Sequence, residues 1–266
     1  MNIPNDRLST TGWLLPDWPA PAQVHAVFST RAGGVSAAPF DSLNLGDHVG
    51  DDAAAVAINR QRLASAIGAE PVFMRQPHGI HSADLDLWAA GDQPSADACT
   101  TAVAGRACTV MVADCLPLLL CDRQGLAVGA AHAGWRGLAA GVVESCVAAL
   151  RHRLGDPAAP LMAWLGPCIG QPAFEVGDEV RQAFVGHDAA ASACFEPGAA
   201  PGKWQADLAG LARRRLALAG VAGVFGNDGG AGWCTVSESS RFFSHRRDAA
   251  RLGSTGRMAA SIWLAG

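Results

Sequence analysis

An α+β fold, a mixed β-sheet core flanked by helices, is what this sequence predicts, and three observations carry the prediction. Short apolar runs outnumber the helical patterns. The two kinds do not alternate strictly, as a doubly wound fold would require. The strongest apolar stretches, such as TVMVADCLPLLLC, are interrupted by Asp or Pro and stop well short of the roughly 20 residues of a spanning helix. With 266 residues, no internal repeat and no low-complexity linker, the chain reads as a single domain over 1–266.

VHAVFST (24–30) reads as a strand, followed by a long loop rich in turn formers (31–52), a length that is usually functional or disordered. AAAVAINRQRLASAIG (53–68) is a helix that Asp51 or Asp52 caps and Gly68 closes. PVFMRQPHGIHSADLDLW (71–88) holds two short strands around a turn at His78-Gly79. CTVMVADC (108–115) and GLAVGAAHAG (125–134) are buried strands. GLAAGVVESCVAALRHRLG (137–155) has helical periodicity and basic residues before its closing glycine. LMAWLGPCIG (161–170) is a strand running into a turn, VGDEVRQAFV (176–185) and DLAGLARRRLALAG (207–220) are helices, and GRMAASIWLA (256–265) is a closing strand. The Gly, Pro and Ala-rich stretch 187–204 reads as a surface loop.

Half the residues are hydrophobic, 17% are charged and the formal net charge is −4. That balance supplies no bulk attraction to nucleic acid or to an anionic membrane, so a small-molecule substrate is expected. The N-terminal stretch has no basic region leading into an apolar core and no small-residue cleavage site, which makes the cytoplasm the expected location. Eight cysteines are scattered without a CxxC pair, unlike a secreted disulfide framework, and most read as buried, inert thiols.

Several chemistries are excluded. The single lysine, Lys203, precedes Trp204 and cannot complete a Walker A loop. GxGxxG after a strand, HExxH, GxSxG and the HxE with PCxxC of zinc deaminases are all missing. What remains is His78, Cys115 and His132 at, or just past, strand ends, where loops carry sites on a rigid scaffold. Two imidazoles and a thiolate suit Zn²⁺ and leave its fourth tetrahedral position open, the catalytic arrangement. Asp114 and Asp97 are carboxylates suited to support those ligands. His81 is an alternative ligand, while His25, His48, His152 and His187 read as loop or surface residues. The same residues also fit a metal-free hydrolase in which His132 activates a Cys115 nucleophile.

FSTRAGGVS, SLNLGDHVGDD with NR after it, QPHG, ADCLPLLL, HAGWRG, LGPCIG, FEVGDEV and RFFSHRRD followed by TGRMA extend over nearly the whole chain. On these motifs the sequence resembles the YfiH family of laccase-domain proteins, whose members carry the labels multicopper polyphenol oxidase, purine nucleoside phosphorylase and peptidoglycan editing factor. The resemblance implies a catalytic zinc on His78, Cys115 and His132. It further implies phosphorolysis of adenosine, with inosine, guanosine and methylthioadenosine also split and some adenosine deaminated. A second implied activity is hydrolysis of a cell-wall precursor, removing L-serine from UDP-MurNAc. Pro77 before HG and the AARLGS segment before TGR depart from the family pattern, and the latter leaves Arg257 unassigned.

A multicopper oxidase needs paired His-x-His motifs for its trinuclear cluster; eight histidines with no such pair argue against one, and zinc is preferred to copper. For phosphorolysis, arginines must neutralise the phosphate, and Arg31, Arg60 and Arg246 are the candidates. Cys115, Asp114 and Arg60 are the expected catalytic residues, with Asp114 a proton donor if burial raises its pKa. Phe28, Trp135 and Phe243 are candidates to stack on the purine, although a core role is the safer reading for each.

Overall fold

Residues 12–266 are described by the structure, a computed structural model. In chain order its regular elements are β1 (Val24–Phe28), α1 (Ala53–Ile67), β2 (Glu70–Phe73), β3 (Ser82–Asp84), β4 (Ala98–Thr101), β5 (Arg106–Val112), β6 (Leu116–Asp122) and β7 (Val128–Ala133). There follow α2 (Trp135–Ala140), α3 (Val142–Leu154), β8 (Leu161–Leu165), β9 (Glu175–Gly177), α4 (Asp178–Val185), β10 (Phe195–Pro197) and β11 (Lys203–Ala206). The chain ends through α5 (Leu208–Leu218), β12 (Gly223–Gly226), α6 (His245–Leu252) and β13 (Met258–Leu264). The leader reading concerns residues 1–19, of which 1–11 lie outside the described residues.

The strands form a mixed four-stranded sheet ordered β1-β13-β5-β2, a mixed six-stranded sheet ordered β12-β8-β6-β7-β4-β3, and a small sheet ordered β10-β11-β9. Residue parity explains how the two large sheets stack. In β5, Cys108, Val110 and Val112 share one core with Leu119 and Cys121 of β6 and Val128 and Ala130 of β7. The alternate residues Ala107 and Met111 face Leu63 and Ile67 of α1. Leu116, Leu118 and Leu120 of β6 point the other way, into a core with Val143, Val147 and Leu150 of α3 and Leu211 of α5. Helix, sheet, sheet and helices are therefore layered, and both large sheets are covered on both faces, which is why their strands read as near-continuous apolar runs.

The α1 boundaries follow the sequence closely: the Asp52 side chain accepts from Ala54 N, and Gly68 closes the helix at φ 65°. Three expectations need correction. The predicted helix 137–155 is two helices, because Gly141 at φ 112° ends α2 and begins α3. The strand expected to end at Cys115 stops at Val112, and LPLLLCD forms a separate strand in the other sheet. The stretch 187–204 is not one loop, since it contains a 3₁₀ turn over Ala189–Cys194 and the strand β10. Among the described residues no helix is long and apolar enough to cross a membrane.

Candidate metal centre

The site lies where the chain crosses between the large sheets. His78 occupies the passage from β2 to β3, and Cys115 the turn from β5 to β6. His132 is on β7, in register with Pro117 of β6. Two residues further, just past the ladder's last pair Leu116–Ala133, the same register puts Cys115 opposite Gly134. His132 and Cys115 share the parity of Val128, Ala130, Leu119 and Cys121, so both side chains face the inter-sheet side.

The backbone is bent to the same end. His78 at φ 65° and Asp114 at φ 89° are the non-glycine residues with positive φ among the described residues. Such conformations cost free energy and persist where surrounding contacts hold them. For His78 the holding group is Asp97, which is fully buried. Its carboxylate accepts the backbone N–H groups of His78 (3.0 Å) and Gly79 (2.7 Å), while Nδ1 of His132 lies 2.9 Å from Oδ1. One carboxylate therefore fixes the turn that carries one imidazole and the ring orientation of the other. With Nδ1 engaged, Nε2 of His132 is left for a ligand.

His78, Cys115 and His132 each offer a donor atom, and the three lie within 4.8 Å of one another. His78 Nε2 is 3.9 Å from Cys115 Sγ. Donors around a tetrahedral zinc stand about 3.4 Å apart, given bonds of roughly 2.0–2.3 Å, so the set needs little contraction to close on an ion. Gly134 keeps the space clear: a Cβ there would stand 3.0 Å from both Cys115 Sγ and His78 Cδ2. Among the described residues this is the one group of three or more His, Cys, Asp or Glu donors so clustered.

Electrostatics favour the ligand form of the thiol. Burial alone would hold Cys115 protonated, but the imidazoles of His132 and His78 outweigh it and draw its pKa down to about 6. Burial likewise works against a charged His132, yet the Cys115 thiolate and the Asp97 carboxylate lift that imidazole to about 9. The other seven cysteines are buried and unbridged, as the sequence reading expected of most of them.

A cavity of about 670 Å³ opens beside the three donors. That is the scale of a small-molecule site. Asp114 and Arg246 line it, as does Trp135. Each Asp114 oxygen already accepts a hydrogen bond, from the Thr235 hydroxyl (2.6 Å) and from the Arg246 N–H (2.6 Å). Arg31 and Arg60 are not brought to this cavity. Arg31 holds Asp41 and the Ser239 carbonyl beside a different depression. Arg60 donates to the Leu45 carbonyl, pairs with Asp47 at 3.2 Å and lies over the Phe73 ring. Phe28 and Phe243 are fully buried core residues, and His81 is exposed outside the cluster.

The sequence reading did not single out Arg75, Phe174 or His245, left Arg257 unassigned and set His48 aside as a loop residue; all five line the cavity. Arg75 and His245 had a signal, since MRQPHG and SHRR place them within three residues of His78 and beside Arg246. His48 reaches the cavity because its loop is pinned by α1. The buried Asn59 amide donates to Ser36 and to the carbonyls of Ser42 and Asn44.

Known proteins agree with this architecture. Residues 25–265 match the family model described as multi-copper polyphenol oxidoreductase laccase. A purine nucleoside phosphorylase of Pseudomonas aeruginosa is 52% identical, covering 95% of this chain and 98% of its own. The purine nucleoside phosphorylase YfiH of Escherichia coli is 48% identical over 94% of this chain and 98% of its own. Among solved structures, a Neisseria meningitidis protein superposes with a TM-score of 0.87 at 47% identity, covering 96% of this chain and 99% of that one. YlmD of Geobacillus stearothermophilus gives 0.80 at 32%, covering 96% and 97%. The chain therefore belongs to the laccase-domain family that includes the YfiH proteins.

Proposed function

We propose that this protein is a zinc-dependent purine nucleoside phosphorylase acting on adenosine, with inosine, guanosine and methylthioadenosine as further substrates. The observation that carries the reading is an open His78–Cys115–His132 donor set on the wall of a cavity of nucleoside size. The names borne by the relatives from Pseudomonas and Escherichia supply the reaction class. Two imidazoles and one thiolate match zinc chemistry, and three protein donors leave a position for a ligand from solution. Zinc held there supplies Lewis acidity and positive charge for an oxygen of phosphate or water.

In phosphorolysis a phosphate oxygen bonds to C1′ of the ribose as the C1′–N9 bond breaks. The electron pair leaves with the base, which takes up a proton, giving adenine and ribose 1-phosphate. Positive charge grows on the sugar and negative charge on the base. Asp97 acts through His132 and the His78 turn, holding both imidazoles in place. Asp114 is held by acceptor contacts at the N-terminus of α6, which suits a fixed negative charge near the sugar better than a proton donor. Deamination of adenosine would take in water and release ammonia, and a metal held by His78, Cys115 and His132 would supply the Lewis acidity to activate that water.

The test is chromatography of adenosine incubated with the zinc-loaded protein, with and without phosphate, beside Cys115→Ala. Adenine is expected only with phosphate and only from the wild type. Neither adenine nor inosine from the wild type would reject the reading and turn attention to hydrolysis of UDP-MurNAc-L-serine.

A further inference from the structure

The cavity has walls of two chemical kinds. Trp135, Ile169, Phe174 and Leu208 line it and belong to, or pack against, the hydrophobic layer on the helix side of the six-stranded sheet. Ile169, Phe174 and Leu208 offer no side-chain donor or acceptor. A second group of lining residues is polar and knit together by its own contacts. The backbone of Arg75 pairs with that of Ser95 in an isolated parallel bridge, Gln93 donates to Asp47, and Arg257 packs so closely on the loop that a Cβ at Gly46 would stand 2.7 Å from its side chain.

Charge separates the arginines of the site. Arg246 is spent: its guanidinium donates to the carbonyls of Ala173 and Glu175 and lies over Phe174. Arg60 and Asp47 neutralise one another behind the polar wall. Arg75 is exposed, and its guanidinium has no partner among the described residues. Arg257 uses one nitrogen for the carbonyls of Thr255 and Gly256, leaving its remaining donors without a protein acceptor among the described residues. It lines the cavity together with Cys115 and Asp114. Burial and the Arg257 cation pull the pKa of the His48 imidazole below its ordinary value. Two guanidinium groups with donors that no protein acceptor uses thus line one cavity, which suits an anion that both can reach.

We infer that Arg75 and Arg257 form the anion subsite of the cavity and take inorganic phosphate, while the wall of Trp135, Ile169, Phe174 and Leu208 takes the purine. This assignment rests on the phosphorylase reading for its two substrates. Guanidinium forks match the oxygens of a tetrahedral dianion, and aromatic and aliphatic faces match a planar base.

Steady-state rates on adenosine, with phosphate and nucleoside varied in turn, test it. Arg75→Gln is expected to raise the KM for phosphate by about tenfold or more, the loss of one charged hydrogen-bonding partner, with the KM for adenosine within about twofold. Trp135→Ala is expected to do the reverse. Arg257→Gln should behave as Arg75→Gln; Arg75 is exposed, so its variant decides the matter if Arg257→Gln does not fold. An unchanged phosphate KM in Arg75→Gln, or both KM values moving together, overturns the assignment. If the wild type splits no nucleoside, the phosphorylase reading fails, and calorimetric titration with inorganic phosphate then decides the anion subsite alone. Heat with the wild type and none with Arg75→Gln retains it; equal heat with both, or none with either, removes it.

Discussion

Cys115 differs from every other cysteine of this chain in being incompletely buried and in facing two imidazoles. The consequence is a thiol that ionises near pH 6 rather than in the usual range, because the neighbouring rings outweigh the desolvation of the thiolate. The sign is fixed: the nucleophilic thiolate is scarce below pH 6 and forms as pH rises through it. In metal-stripped protein, iodoacetamide labelling of Cys115 should therefore climb with a midpoint near 6 and be close to its plateau at pH 7. Peptide mass spectrometry across pH 5–9 measures this, and a midpoint near 8.5 would refute the proposed electrostatics. Zinc should protect the same thiol. His78, Cys115 and His132 were legible in the sequence because each sits next to a strand end, and strand ends show in apolar patterning. Arg75 and Arg257 were not, since only the crossing segments and the close approach at Gly46 turn them toward the cavity.

At the scale of elements, HAGWRG shows how one short segment serves several masters. His132 supplies a donor of the candidate metal site from the end of β7, and Trp135 a cavity wall at the start of α2. The glycines are explained by space. Gly134 has an ordinary φ of −66°, so no conformational demand requires it, yet a Cβ would press on Cys115 and His78. At Gly137 a Cβ would stand 2.8 Å from the Gly79 carbonyl, which shows how tightly α2 sits on the turn carrying His78. Gly134→Ala should weaken zinc binding by about tenfold or more, as displaced supporting groups do, while the far-ultraviolet circular dichroism stays unchanged. Competition with a chromophoric chelator measures the affinity, and wild-type affinity in the variant would show that the glycine serves some other purpose. Elements that lacked an apolar face were the ones the sequence hid. In α6, HRRDAARL buries only Asp248, leaving no periodic stripe to read, yet its first residues line the cavity. Pro117 disguised the start of β6, and the helical pattern ran unbroken through Gly141.

For the whole molecule, the donor set joins parts of the chain that fold into different layers. Cys115 sits on the passage from the four-stranded to the six-stranded sheet, His78 on a second such passage, and His132 within the six-stranded sheet. A metal bound by all three fastens one end of the inter-sheet core, and the unfolded chain, with these residues far apart in sequence, offers no matching site. Binding the native state alone stabilises it by mass action, by about 2.7 kcal/mol when free metal is at 100 times Kd. For a chain of this size each kcal/mol moves the melting temperature by roughly 2–4 °C, so zinc should raise Tm by about 5–10 °C over chelator-treated protein. Cys115→Ala should lose most of that increment because it breaks the clasp, whereas His81→Ala, outside the cluster, should keep it. Differential scanning calorimetry with zinc or chelator separates the outcomes. A Tm indifferent to zinc would mean that the three donors do not hold the ion, and an equal response in Cys115→Ala would place the bound metal elsewhere in the chain.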